Sequence, residues 1–235
     1  MKPAGICFDA TGTLIERTAS VGTVYSEIAA RFGVELPAWR LDDAFTRVLR
    51  HAPERGGVGA SPAERRQHEI DWWSERIRET FQATDSTVRF EDFASFAEAL
   101  FETYRGPARW RLRPGVRAAL ARLARNGHPM AVVSNFDHRL PQILQALEIE
   151  HYFGLISVPS MSGFRKPARK IFEGVAEALD RSIESLVYVG DDAPETLSAI
   201  AAHGLRTIEV AALASFEVLP EWVASPATLP SRTAR

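Results

Sequence analysis

Short apolar, β-branched runs alternate with stretches of helical periodicity through much of the chain. The runs are GICFD (5–9), MAVVSN (130–135), GLISVP (154–159), LVYVGD (186–191) and RTIEV (206–210). Unbroken apolar runs of this length fit strands buried on both faces, and the patterns between the last four fit crossover helices beginning near Arg139, Arg169 and Pro194. Together they predict an α/β fold, a Rossmann-like three-layer core built on a parallel sheet. Residues 17–107 read differently. VYSEIAARF, DDAFTRVLRHA, AERRQHEIDWWSERIRETF and FEDFASFAEALFETY each place apolar residues three and four apart, with no strand among them. The expected division is a core, 1–16 plus 108–235, interrupted by an all-helical insertion, 17–107. PERGGVGASP (53–62) is expected to be a mobile, glycine-rich connection inside that insertion.

Composition narrows the class of partner. With 235 residues, 46% hydrophobic and 25% charged, the chain can bury a full core and a second small one. The net charge is −2 and basic residues are spread along the length, so nothing points to nucleic acid or to a membrane surface. A small molecule is the expected partner. The single cysteine, Cys7, lies in the first apolar run, which excludes an internal disulfide and fits a reducing compartment. No stretch is apolar enough to span a bilayer, and MKPAGICFDA is too short and acidic for a signal peptide, so a cytoplasmic location is expected.

Ligands of a parallel sheet bind beyond the carboxyl ends of its strands, so polar residues just after strands are the ones to weigh. Asp9 follows the first run, Ser134 and Asn135 the second, and Asp191 and Asp192 the fourth; Lys166 follows the third after a loop. Singly, each has an ordinary explanation as a helix cap or turn residue. Collected on one rim, they would bring a carboxylate, a hydroxyl, an ammonium and an acidic pair together. That set suits Mg²⁺ and a phosphoryl group, with a carboxylate able to act as nucleophile. Only three of the 28 basic residues are lysines, so a lysine at this position is itself informative.

These residues resemble the motifs of the haloacid dehalogenase (HAD) superfamily, in the subfamily with a helical cap between its first two motifs. Asp9-Ala10-Thr11-Gly12-Thr13 is similar to the first motif, Ser134 to the second, Lys166-Pro167 to the third, and Gly190-Asp191-Asp192 with Glu195 to the fourth. The resemblance implies Asp9 as nucleophile, with Ser134, Lys166, Thr13 and Asn135 around the phosphoryl group. It also implies Mg²⁺ held by Asp9, the Thr11 carbonyl, Asp191, and Asp192 or Glu195. The substrate expected from it is a small phosphorylated molecule.

Two departures stand out. The family often has an acid five positions after the first aspartate of its fourth motif, where this chain has Thr196 and an acid one place early, Glu195. Family phosphatases carry a second aspartate two residues after the nucleophile, where this chain has Thr11. A threonine hydroxyl does not exchange its proton near neutral pH, and such acid–base help is worth roughly 10² to 10⁴ in rate. The readings left are a Mg²⁺-dependent phosphatase with weakened acid–base catalysis, a homologue that binds phosphate compounds or a partner without useful turnover, and a metal-independent dehalogenase. The acids at 191 and 192 weigh against the last.

Elsewhere the residues have plainer readings. Trp72 and Trp73 are adjacent on a helical pattern, so at most one can face the core. The six histidines show no metal-ligand spacing. The glycines at 56–59 lack the ending of a P-loop. Asp137, Arg139 and Arg165 lie beside motif residues, where they could tune charge at the site, but the default expectation for each is the solvated surface.

Overall fold

A computed structural model describes residues 3–55 and 61–225. Five parallel strands form the core sheet: β1 (Gly5–Phe8), β4 (Met130–Val133), β5 (Phe153–Ser157), β6 (Leu186–Gly190) and β7 (Arg206–Glu209), in the order β5-β4-β1-β6-β7. The strands end one or two residues before the runs in the sequence do, which leaves Asp9, Ser134 and Asp191 just beyond them. Two three-residue strands absent from the sequence reading, β2 (Ile15–Arg17) and β3 (Trp110–Leu112), pair antiparallel as a separate ribbon.

Both faces of the sheet are covered, which is why its strands read as continuous apolar runs. Ile6 and Phe8 face one layer, with α5 (Val116–Arg125), α6 (Leu140–Ala146) and α10 (Leu219–Ala224). Cys7 and Tyr188 face the other, with α8 (Arg169–Ala178) and α9 (Pro194–Ala201). The expected three layers are present. Burial pushes the Cys7 thiol up to about 12, so it is a packing residue.

The insertion carries α1 (Val21–Ala30), α2 (Ala38–His51), α3 (Pro62–Thr84) and α4 (Phe93–Arg105). Their starts follow from local chemistry: Ser20 caps α1, Ser61 and Glu64 form a capping box on α3, and Asp92 caps α4. These helices enclose their own apolar core around Phe81, whose ring meets Phe96 edge-on at 5.1 Å and stacks on Tyr25 at 5.9 Å. The chain enters and leaves this cap through the ribbon, which Thr18 extends by donating its N–H to Arg109 O and its hydroxyl to Ala108 O. The glycines at 56–59 lie outside the described residues. Among those described, no helix is long and apolar enough to cross a membrane.

Candidate active site

The strand order reverses at β1. The chain builds outward through β4 to β5 and then returns to the other side with β6 and β7. A crevice opens at the carboxyl ends where such a reversal occurs, here between β1 and β6. Asp9 follows β1, and its N–H donates to Val189 O at 2.9 Å, so the pairing with β6 sets where its carboxylate emerges. The next residues turn sharply: the N–H groups of Leu14 and Ile15 both donate to Ala10 O, at 2.8 and 3.0 Å. Gly12 has φ +82°, and a Cβ there would lie 1.9 Å from Asp191 Oδ2, so only glycine admits the Asp191 carboxylate. Thr13 Oγ1 donates to Asp191 Oδ1 at 2.9 Å, and Arg113 braces the turn by donating to Gly12 O.

Lys166 is 2% exposed and lies at the centre of the site. Its Nζ is 3.0 Å from Asp9 Oδ1, and donates to Asp192 Oδ1 at 2.9 Å and to the Tyr188 hydroxyl at 2.5 Å. Those contacts occupy its three protons. The Tyr188 hydroxyl donates in turn to Asp192 Oδ2 at 2.5 Å. Burial pushes the Tyr188 phenol well above its ordinary range, and the Asp9 and Asp192 charges push it further, so it remains a hydroxyl. Burial pushes the Asp9 carboxyl upward; Lys166 pulls it down, the Asp192 charge adds to the rise, and the net direction is up.

Each expected site residue can now be located. Asp9, Lys166 and Asp192 meet directly, and Thr13 and Asp191 join them through the turn. The Thr13 hydroxyl, expected on phosphate, is spent on Asp191. The Asn135 amide, expected there too, holds the lysine segment: Lys166 N–H donates to Asn135 Oδ1 at 2.8 Å, and Asn135 Nδ2 donates to Lys166 O at 3.1 Å. Ser134 is buried beyond β4, and its hydroxyl accepts from Phe136 N–H at 3.3 Å. Thr11 Oγ1 is buried without a hydrogen-bond partner. Glu195 sits exposed in the first turn of α9. Tyr188 went unrecognised in the sequence, although a phenol inside an otherwise aliphatic strand, two residues before Gly190-Asp191, was a usable signal.

Three carboxylates, Asp9, Asp191 and Asp192, are thus answered by one ammonium. Among the described residues, no three His, Cys, Asp or Glu side chains form a ready-made metal cage. The donor set instead fits a hard ion that takes one or two carboxylates and completes its shell with water and phosphate. Asp9 and Asp191 suit that role, since Asp192 is already engaged by Lys166 and Tyr188.

A second polar cluster fastens the cap to the core, and here the sequence reading is corrected. Asp137 and Arg139 are not solvated: they are 1% and 5% exposed. Arg139 Nε and Nη2 donate to the two Asp137 oxygens at 2.8 and 2.6 Å, and Nη1 donates to Phe101 O at 2.9 Å. Trp73 Nε1 reaches across from α3 and donates to Asp137 Oδ2 at 2.9 Å, while Trp72 Nε1 turns away to Pro53 O. One tryptophan of the pair faces the core, as helix geometry requires. His138 N–H donates to the buried Glu69 at 3.0 Å. Arg55 lies over both indoles and donates to Asn135 O, so the cap touches the segment that positions Lys166. Arg165 remains partly exposed and pairs with Glu54 at 3.0 Å.

Comparison with known proteins bears on the fold and the family. A family model described as haloacid dehalogenase-like hydrolase matches residues 3–204. Haloacid dehalogenase-like hydrolase domain-containing protein 3 of Bos taurus is 28% identical over 213 residues, spanning 88% of this chain and 81% of that protein. A crystal structure described as a predicted phosphoglycolate phosphatase from Haemophilus somnus has a TM-score of 0.66 at 18% identity, covering 94% of this chain and 98% of that one. A Bacillus subtilis chain, described as a HAD-hydrolase bound to magnesium, has a TM-score of 0.62 at 16% identity, covering 88% of each. At such identities the likeness to solved structures establishes the fold.

Proposed function

The chain belongs to the haloacid dehalogenase-like hydrolases, and on that premise we propose that it hydrolyses a small organic phosphate through an ester formed on Asp9. The observation that carries the reading is the excess of buried and half-buried carboxylate around Lys166 at the mouth of β1 and β6. Such a site favours a cation and a phosphoryl group over an uncharged substrate. Magnesium held through Asp9 and Asp191 would supply the positive charge that lets a phosphate approach the Asp9 carboxylate.

An Asp9 oxygen attacks phosphorus, and the bond from phosphorus to the leaving oxygen breaks. Lys166, exchanging one of its three present contacts, and Ser134 hold the phosphoryl oxygens, and Tyr188 and Asn135 keep the lysine in place. Water then attacks the phosphorus of the phospho-Asp9 ester, releasing inorganic phosphate and restoring the carboxylate. Thr11 cannot donate the proton that a poor leaving group needs, so esters whose leaving oxygen departs unprotonated turn over best.

The test is a panel of acyl phosphates, aryl phosphates and alkyl phosphates assayed with and without Mg²⁺, for the wild type and Asp9→Asn. Turnover that requires the metal and vanishes in Asp9→Asn is expected; activity untouched by that substitution sinks the mechanism. A second reading, binding without useful turnover, is favoured by Thr11, and phosphate-dependent stabilisation with no covalent label on Asp9 would select it.

A further inference from the structure

Between the ribbon, Phe136 and the cap helices lies a cavity of about 90 Å³. Its walls are largely apolar, with Phe45, Ile77 and Leu100 from the cap facing Trp110 and Phe136 from the core side. Phe136 also links the cavity to the crevice, because its N–H donates to Ser134 Oγ at 3.3 Å. The cavity and the proposed reaction site therefore share one short segment, 134–136.

Polar groups on the cavity wall differ in how far they are already satisfied. Arg139 is fully engaged by Asp137 and Phe101 O. Arg17 lines the cavity while remaining exposed to solvent, and among the described residues no carboxylate pairs with it. The Tyr104 hydroxyl, on the same wall, is buried with no hydrogen-bond partner. Native structures seldom leave a buried hydroxyl unpaired without reason. Burial pushes that phenol up to about 12, so it stays protonated and can donate. An apolar cavity with a cation and an orphaned donor on one wall matches a ligand with a hydrocarbon body and one anionic oxygen group.

We infer that this cavity takes the leaving group of the substrate, and that the substrate is an organic phosphate with a compact apolar body carrying a carboxylate that meets Arg17 and Tyr104. The inference rests on the phosphatase reading only for the phosphate end; the carboxylate end stands on the cavity alone. At about 90 Å³, the cavity suits a body of ring or short-chain size.

Binding and turnover test the two ends separately. Benzoate, with benzyl alcohol as the uncharged control, is titrated calorimetrically into the wild type, Arg17→Gln and Tyr104→Phe, each first checked for an unchanged far-UV spectrum. Benzoate is expected to bind the wild type and to lose about tenfold or more in each variant, as for a hydrogen bond to a charged group. Benzyl alcohol should show no such loss. In parallel, kcat/KM is compared for 4-carboxyphenyl phosphate and phenyl phosphate, where the carboxylated ester should be preferred and the preference should collapse in both variants. Failure of benzoate to bind, or equal binding by all three proteins, overturns the inference even if both esters are hydrolysed. Benzoate binding that depends on Arg17 and Tyr104, with neither ester hydrolysed, upholds the cavity and removes the phosphatase reading instead.

Discussion

Asp137→Ala gives the sharpest test of how the cap is held. Asp137 accepts four hydrogen bonds, from the Arg139 N–H, Nε and Nη2 and from Trp73 Nε1. Alanine leaves the Arg139 guanidinium buried without its counter-charge, which costs about 3–5 kcal/mol. The lost indole bond adds about 1 kcal/mol. The sum, about 4–6 kcal/mol, is a large share of the stability of a typical domain, about 5–15 kcal/mol. Urea unfolding followed by tryptophan fluorescence reports on the contact itself, since Trp73 is part of it. With a slope of about 2–3 kcal/mol/M, the midpoint should fall by about 2 M. Asp137→Leu with Arg139→Met should recover most of the loss, because an apolar replacement removes both buried charges.

The same contact predicts a pH dependence. Burial pushes the Asp137 carboxyl up, but the hydrogen bonds and charge of Arg139 outweigh burial and leave it below the ordinary range. A carboxyl depressed in the folded state contributes stability that is complete above its unfolded value, about 3.9, and is lost as pH falls through the folded value. The gap between the wild type and Asp137→Ala should hold near neutrality and narrow below about pH 4. A midpoint shift under about 0.5 M at pH 7 would refute the reasoning, because it would mean that the pair contributes no more than an exposed one.

Three further outcomes are expected. Thr11→Asp should raise turnover of alkyl phosphates by roughly 10² or more by supplying the missing proton donor, and should help aryl and acyl phosphates much less; a uniform effect across leaving groups would contradict the role assigned to Thr11. Gly12→Ala forces a side chain into a positive-φ position and against Asp191, so the thermal midpoint should drop, corresponding to about 1–3 kcal/mol, and Mg²⁺-dependent activity should fall with it. An unchanged melt would show that the turn is not held as described. Tyr188→Phe preserves volume but removes a donor to Asp192 and an acceptor for Lys166, so kcat should fall roughly tenfold with the fold intact; full activity would exclude Tyr188 from positioning the lysine.

What could be read from the sequence follows from how local each signal is. The core strands were legible because burial on both faces writes itself as an unbroken apolar run, as in GICF and LVYV. The cap helices were legible because their apolar stripes recur with helical period over ten or more residues. Ile15–Arg17 and Trp110–Leu112 could not be seen, since three residues show no period and the pairing partners lie almost a hundred residues apart. Asp9, Asp191 and Asp192 were legible as strand-end residues, and Lys166 as a rare lysine in the loop after the third run. Their division of labour was not, because Asp192 goes to Lys166 while Asp191 goes to Thr13 only in the folded geometry. Asp137 and Arg139 looked like surface charges for the same reason: the surfaces that bury them, Trp73 and Phe101, come from a distant segment.

The ribbon of β2 and β3 has a consequence for how the molecule assembles. Roughly 90 residues separate its strands along the chain, yet their ends are neighbours in an antiparallel pair, about 5 Å apart. A cap that folds first on its own aromatic core already brings those ends together, so the core sheet meets a short tether in place of a long one. By the logarithmic dependence of closure entropy on length, that shortening is worth about 3 kcal/mol. The insertion therefore leaves the core and returns to it at one place, and it meets the elements that carry Asp9 and Asp191 through the ribbon and the contacts around Asp137 and Asn135 described above.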